Sequence, residues 1–235
     1  MKYSVNSYLH MKKSKLKNKK PCEDYSITYQ DTYKTIAVIA DGHGDPRCFR
    51  AHIGAKIACF TVIELLKNKN DFEDDSLEEL SCLIKNEWYK KIEEHALIHP
   101  INQGKQDMKF VYGTTLSVVV LTTDKMILLN VGDGKCMVRY DDQSFVSLIK
   151  KKGISPDSLA YKDVKMDIYV SPLPRCLMLT SDGGSSFQNE EVFINKVEEL
   201  YLVNREKFHR NMMNLVNYFS SDDDVSMIWI YQDKR

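Results

Sequence analysis

Four groups of aspartates stand where apolar segments begin or end, and that placement is what could do chemistry. Asp41 directly follows the apolar run IAVIA, Asp133 follows ILLNVG, and Asp182 follows LMLTS. Asp222, Asp223 and Asp224 directly precede VSMIWIY. A carboxylate fixed at the end of a buried strand is rigid and half-desolvated. That state is costly unless a partner neutralises the charge, and a metal ion is the strongest partner available. Oxygen donors with few histidines select hard cations, Mg²⁺ or Mn²⁺, over zinc. Gly42 and Gly44, Gly132 and Gly134, and Gly183 and Gly184 flank three of these acids. Glycine lets the chain turn tightly there, and a carbonyl such as that of Gly42 can approach an ion. A single Asp-Gly pair reads equally well as a hairpin turn. Three of them, each after an apolar strand, point to a site.

The elements that must position these acids follow from periodicity. Residues 3–9, 24–30 and 34–40 read as strands, the last a continuous apolar run that suits a buried one. Phe49, Ile53, Ile57 and Phe60 recur at helical spacing and predict an amphipathic helix on that stripe. A second helix opens at Ser76 with Glu79 as a capping box and carries Leu77, Leu80, Ile84, Trp88 and Ile92 on one side. GTTLSVVVLTTD, KMILLNVGDG, KCMVRYDD and SFVSLI are short β-type runs whose close spacing predicts antiparallel hairpins. Residues 150–166, with Gly153 and Pro156, read as a loop or flap. DIYVS and RCLMLTSDGG follow as strands. Residues 190–203 and 206–219 read as helices facing inward through Phe193, Val197 and Leu200, and through Phe208, Met212 and Leu215. DDDVSMIWIY closes the chain as a strand. Helices and strands segregate rather than alternate, so the expectation is an α+β layered domain with mostly antiparallel sheets. Its 235 residues suit a single domain over 1–235.

Lys plus Arg and Asp plus Glu number 33 each, a balance that gives no electrostatic reason to expect nucleic acid or an anionic membrane as partner. No apolar run reaches the length of a membrane span. The basic N-terminus has no apolar stretch of the kind a secretory signal needs. The six cysteines form no CxxC pair, which suits reduced thiols, a cytoplasmic setting and no zinc. Cys22 has no paired base and reads as an inert thiol. His10, His52, His95, His99 and His209 lie in no acid cluster and read as surface or structural residues. The lysine run at 12–20 reads as a solvated loop.

In this order along the chain, PCEDY, DGHGD, YGTTL, NVGDG, LTSDGG and DDVSMI resemble the successive motifs of the metal-dependent (PPM, type-2C) protein phosphatases, the bacterial members in particular. The resemblance runs from about residue 20 to the C-terminus. It implies a β-sandwich of two antiparallel sheets flanked by helix pairs. It also implies hydrolysis of phosphoserine and phosphothreonine in phosphoprotein substrates by a metal-bridging water, with a cognate Ser/Thr kinase as counterpart. Two Mn²⁺ or Mg²⁺ ions follow from it. Asp41 would bridge both, Asp182 and Asp223 would complete one shell, and Glu23, through water, and the carbonyl of Gly42 would serve the other. Asp133 with Asp182 would match the weaker third-metal site of some members. His43 would be the general acid and Asp24 would organise metal-bound water. Two departures stand out. The family's phosphate-gripping arginine is missing from LKNKKPCED, which leaves Lys19 or Lys20 as a point-charge substitute. The stretch 134–181 is short for the family, so the flap is reduced. One rival is a non-catalytic PPM-like binding module, against which the presence of Asp41, Asp182 and Asp223 argues. The other is a phosphatase of small phosphorylated molecules, which a substrate panel separates.

Overall fold

The computed structural model describes residues 2–101, 107–150, 157–183, 189–219 and 223–233. Its ten strands form two five-stranded sheets. One runs β1 (Tyr3–His10), β10 (Val225–Gln232), β9 (Cys176–Thr180), β6 (Lys135–Arg139), β7 (Phe145–Ser147). The other runs β2 (Asp24–Gln30), β3 (Thr35–Asp41), β4 (Leu116–Leu121), β5 (Lys125–Val131), β8 (Asp167–Pro172). Every neighbouring pair is antiparallel.

The continuous apolar runs have a simple cause: the central strands are covered on both faces. In β3, Ala37 and Ile39 point between the sheets, where they meet Leu128, Leu177, Leu179, Ile228 and Ile230. Ile36, Val38 and Ala40 alternate to the outer face and pack with α2 (Ala51–Leu66) and α3 (Leu77–Ile98). On the other sheet, Met178, Met227 and Trp229 turn outward to α5 (Glu190–Val203) and α6 (Arg205–Phe219). The period of two is present, but apolar layers on both sides hide it. The architecture is thus the α+β sandwich of two antiparallel sheets flanked by helix pairs. No helix among the described residues is long and apolar enough to cross a membrane.

Four expectations are corrected. In α2 the buried face is Gly54, Ala55, Ala58, Cys59, Val62 and Leu66, whereas Phe49 and Phe60 are exposed. Small residues win because the helix lies close to its neighbours. A Cβ placed on Gly54 would stand 1.9 Å from the carbonyl oxygen of Tyr112. Ser76 does precede α3, but its hydroxyl donates to the carbonyl of Glu73, and no side-chain cap forms. β5 and β6 are not a hairpin, because the chain crosses from one sheet to the other at Gly132–Gly134, with Gly132 at φ +120°. The lysine run is not a plain loop: Lys13–Lys17 form α1, and Lys15 turns inward. Residues 102–106 lie outside the described residues, and Met108–Val111 form a short α4.

The contact at Gly54 sets a stability prediction. Gly54→Ala gains helix propensity but drives a methyl into backbone that cannot rotate away. A net loss of about 2 kcal/mol or more is expected, read as a lower urea midpoint at unchanged m-value. A midpoint at or above wild type would show that α2 shifts freely.

Candidate metal centre

Five strand ends meet at one edge of the sandwich. Asp24 opens β2 and Asp41 closes β3, and the register sets them directly opposite each other. The amide of Gly42 donates to the carbonyl of Glu23 at 3.1 Å, which continues the pairing past the strand end. Thr114 and Thr115 then hold the turn from β4. The Thr115 amide and the Thr114 hydroxyl both donate to the Asp41 carbonyl, at 2.8 and 2.9 Å. On the other sheet, Asp182 follows β9 and Asp223 and Asp224 precede β10, its antiparallel neighbour. Gly183 allows this closeness, since a Cβ there would stand 2.0 Å from the carbonyl oxygen of Asp224. The β6–β9 register, with Lys135 opposite Thr180, carries Asp133 and Asp182 out of the sheet at the same end.

The carboxyl group of Asp41 interacts with those of Asp24 and Asp182. Asp24 is 4% exposed and accepts a hydrogen bond from the Ser181 hydroxyl at 2.7 Å. Ser181 is held in turn by the Ser226 amide at 3.0 Å. Burial pushes Asp24 up to about 6, against the hydrogen bonds it accepts. Asp41 keeps an edge open to the mouth, but its carboxyl group lies inside. Burial first, then the charges of Asp24 and Asp182, raise it well above the usual carboxylate range. Like charges crowded this way are relieved by protons or by a cation.

The other half of the site is arranged differently. The ammonium of Lys15 sits 2.7 Å from Glu23 Oε2, 2.6 Å from Asp224 Oδ2 and 3.9 Å from Asp223 Oδ1. Asp224 is 1% exposed and also accepts the amides of Lys12 and Glu23, each at 2.8 Å. Burial works to raise Asp224, but Lys15 and these two amides overcome it and hold the group below its ordinary value. No group of three or more His, Cys, Asp or Glu side chains among the described residues is set to hold a metal ion as the side chains stand.

His43 follows Asp41 by two residues, and its amide donates to the Gly113 carbonyl at 3.1 Å. Its ring is buried against Gly113, and Nε2 has no hydrogen-bond partner among the described residues. Burial lowers its pKa, while Asp45 and Asp182 act to raise it. Asp45 is half-buried and held at about 2, first by its side-chain hydrogen bonds from Arg47. Cys22 is pushed up to about 12, chiefly by burial, which keeps it a thiol.

Beside the acids lies a cavity of 290 Å³, bordered among others by Lys12, Lys15, Lys20, Glu23, Gly44 and Asp223. Lys20 therefore borders the site. Lys19 is exposed, at φ +52°, and does not line the cavity. A larger cavity of 380 Å³ lies between α3 and residues 164–168 and shares no residue with the acid cluster. Asp222 and Gly184 lie outside the described residues, as do Gly153 and Pro156 of the expected flap. Residues 157–166, the described part of that flap, carry no helix or strand and are tied down by Lys85. Its ammonium donates to the carbonyls of Tyr161, Lys162 and Val164.

Lys15, Asp224, Ser181 and Ser226 were not assigned from sequence. Ser181 precedes a named acid and Ser226 lies two residues beyond another, and both differ from ordinary strand-end polar residues only in space. Asp224 stood in a run of three acids. Lys15 stood in a run of lysines that carries no positional signal.

A family model described as protein phosphatase 2C matches residues 12–218. No curated protein matches the chain. Among solved structures, the chain is similar to a bacterial serine phosphatase, with TM-score 0.73, 18% identity and all of both chains covered. It is similar to the serine/threonine phosphatase Stp1 from Staphylococcus aureus, with TM-score 0.73, 17% identity, and 100% of this chain and 96% of that one covered. The catalytic domain of the serine/threonine phosphatase PstP, in complex with two manganese ions, aligns at TM-score 0.71 and 14% identity, with 97% of each chain covered. Identities this low speak to fold.

Proposed function

Because the chain belongs to the protein phosphatase 2C family, we propose that it hydrolyses phosphoserine and phosphothreonine in proteins, with Mn²⁺ or Mg²⁺ as cofactor. The observation that carries this reading is the convergence of Asp24, Asp41 and Asp182 from three strands of two sheets, with Asp24 and Asp41 pushed upward by burial and like charge. The donors are oxygens throughout, which fits a hard divalent ion. Asp41, Asp182, Asp223, Glu23 and the Gly42 carbonyl would hold the ions, and Asp133 beside Asp182 suits a further one. The manganese in the PstP structure supports the same choice. When bound, such ions supply Lewis acidity toward a phosphoryl group and lower the pKa of water.

The chain's own residues have separate tasks. Asp24, which accepts a hydrogen bond from Ser181, would orient water. His43 would protonate the departing serine or threonine oxygen. Lys20 and Lys12 border the cavity and offer positive charge to a phosphate, as point charges rather than a bidentate fork. We read the substrate as a phosphoprotein, with a Ser/Thr kinase as counterpart. The six free cysteines support a cytoplasmic setting.

The test is hydrolysis of p-nitrophenyl phosphate with and without Mn²⁺, then of phosphopeptides beside phosphorylated metabolites. Turnover should require the metal, vanish in EDTA and favour phosphopeptides. Full rates in EDTA, or a preference for metabolites, would overturn the reading. The ammonium of Lys15 against Glu23 favours one other reading, a binding module, for which phosphopeptide binding would persist without any turnover.

A further inference from the structure

The Lys15 contacts carry an inference that rests on the metal reading and refines it. α1 is a five-residue helix with no buried residue, yet it sends one side chain, 15% exposed, into the acid site. The lysine does not simply balance one acid. Its Nζ lies almost equally close to Glu23 Oε2 and Asp224 Oδ2, with Asp223 next. Glu23 and Asp223 are two of the acids that would serve divalent ions. Asp224, the third partner, is buried and fully engaged by Lys15 and two backbone amides.

We propose that the Lys15 ammonium is a tethered cation that takes the place of one divalent ion, so that the chain holds a single divalent ion on the Asp41–Asp182 side. Three features support this. Both Glu23 and Asp224 present oxygens to the ammonium at hydrogen-bonding distance, so an ion on Glu23 must displace it or sit beside a like charge. Displacement would strand the buried Asp224 carboxylate without its cation. The Lys15 ammonium spends its contacts on Glu23, Asp224 and Asp223, whereas Asp24 and Asp41 face each other across the β2–β3 ladder away from it.

The experiment compares the full chain with a Lys15→Met/Asp224→Asn double variant. Both members of the ion pair become neutral, and Asn keeps an oxygen for one of the two amides, Lys12 or Glu23, which bond different oxygens of Asp224. A cooperative thermal transition with wild-type circular dichroism establishes that the variant is folded. Bound Mn²⁺ is counted by equilibrium dialysis with elemental analysis, and its state is read by electron paramagnetic resonance. Wild type should bind one ion per chain with the six-line spectrum of isolated Mn²⁺. The variant should bind two, with the broadened spectrum of an exchange-coupled pair. Equal counts in the two proteins, whether one or two, would overturn the inference and leave Lys15 as the partner of Asp224 alone. No bound Mn²⁺ in either protein would overturn this inference and the metal reading together. A variant that fails to fold is replaced by Lys15→Arg, which keeps the positive charge and must then still bind one ion; two ions would overturn the inference.

Discussion

Asp41→Asn abolishes turnover of p-nitrophenyl phosphate and phosphopeptides, yet the metal-free variant melts at or above the wild-type temperature. The first half follows from position. Asp41 ends the interior strand β3, faces Asp24 across the ladder, and interacts with Asp182 from the other sheet. It is therefore the acid that joins the two sheets at the site. A rate loss of more than about 10³-fold is expected, the scale seen when a positioned group that stabilises transition-state charge is removed. The second half follows from the direction of its pKa. Burial and the charges of Asp24 and Asp182 raise Asp41. Burial raises Asp24 to about 6. A carboxyl whose folded pKa is raised binds protons more tightly in the folded chain than in the unfolded one. Its stabilising share is then present below the unfolded value and is lost as pH rises through the folded value. Without metal, wild-type stability should fall between about pH 4 and pH 6, by on the order of 3 kcal/mol from Asp24 alone. Asparagine at 41 removes one ionisable partner, so the decline should be shallower and the two proteins should converge near pH 4. Thermal melts in EDTA across this range, beside the turnover assays, check both halves. Residual turnover near wild type, or a variant several degrees less stable at pH 7, would remove Asp41 from this role.

What the sequence revealed and what it hid divide along a physical line. Acids at strand ends are legible because a strand end is a one-dimensional feature. An apolar run stops, and the next residue is charged. Asp41, Asp182 and the acids before β10 were found that way. The α3 face through Leu80, Ile84, Trp88 and Ile92 was legible for the same reason, since its large residues are the ones that pack. In α2 the rule inverted. Close approach to Tyr112 selects Gly54, Ala55 and Ala58, and a search for large apolar residues picks the outer face instead. The bend at Gly132–Gly134 looks like a hairpin turn locally, and only the sheet order shows that it crosses the sandwich. Lys15 was hidden most completely. Nothing distinguishes it from Lys12, Lys13 or Lys17 except a helical turn that points one of the four at Glu23 and Asp224.

His43→Gln should lose about 10²–10⁴-fold in rate on a phosphoserine peptide, the range typical of general acid catalysis, and much less on p-nitrophenyl phosphate. A serine alkoxide needs a proton as it leaves, whereas p-nitrophenolate does not. The geometry suits the acid role. The His43 amide is pinned to Gly113 at 3.1 Å, the ring packs on that glycine, and Nε2 is buried without a protein partner among the described residues. A nitrogen so placed has unused hydrogen-bonding capacity, which a substrate oxygen that reaches it would fill. The direction of its pKa gives a second readout. Burial lowers His43, and Asp45 and Asp182 only partly offset that. A cation held at Asp41 acts in the same sense as burial. An acid must be protonated to act, so kcat/KM on the phosphopeptide should fall as pH rises through a value below the ordinary histidine value of about 6.5. The His43→Gln variant should lose that alkaline limb on the peptide, and p-nitrophenyl phosphate should show little of it with either protein. Stopped assays on both substrates from pH 5 to pH 8.5, at saturating Mn²⁺, separate the outcomes. Equal losses on the two substrates, with an unchanged pH profile, would make His43 a structural residue of the turn after β3 and move the search for the acid elsewhere in the site.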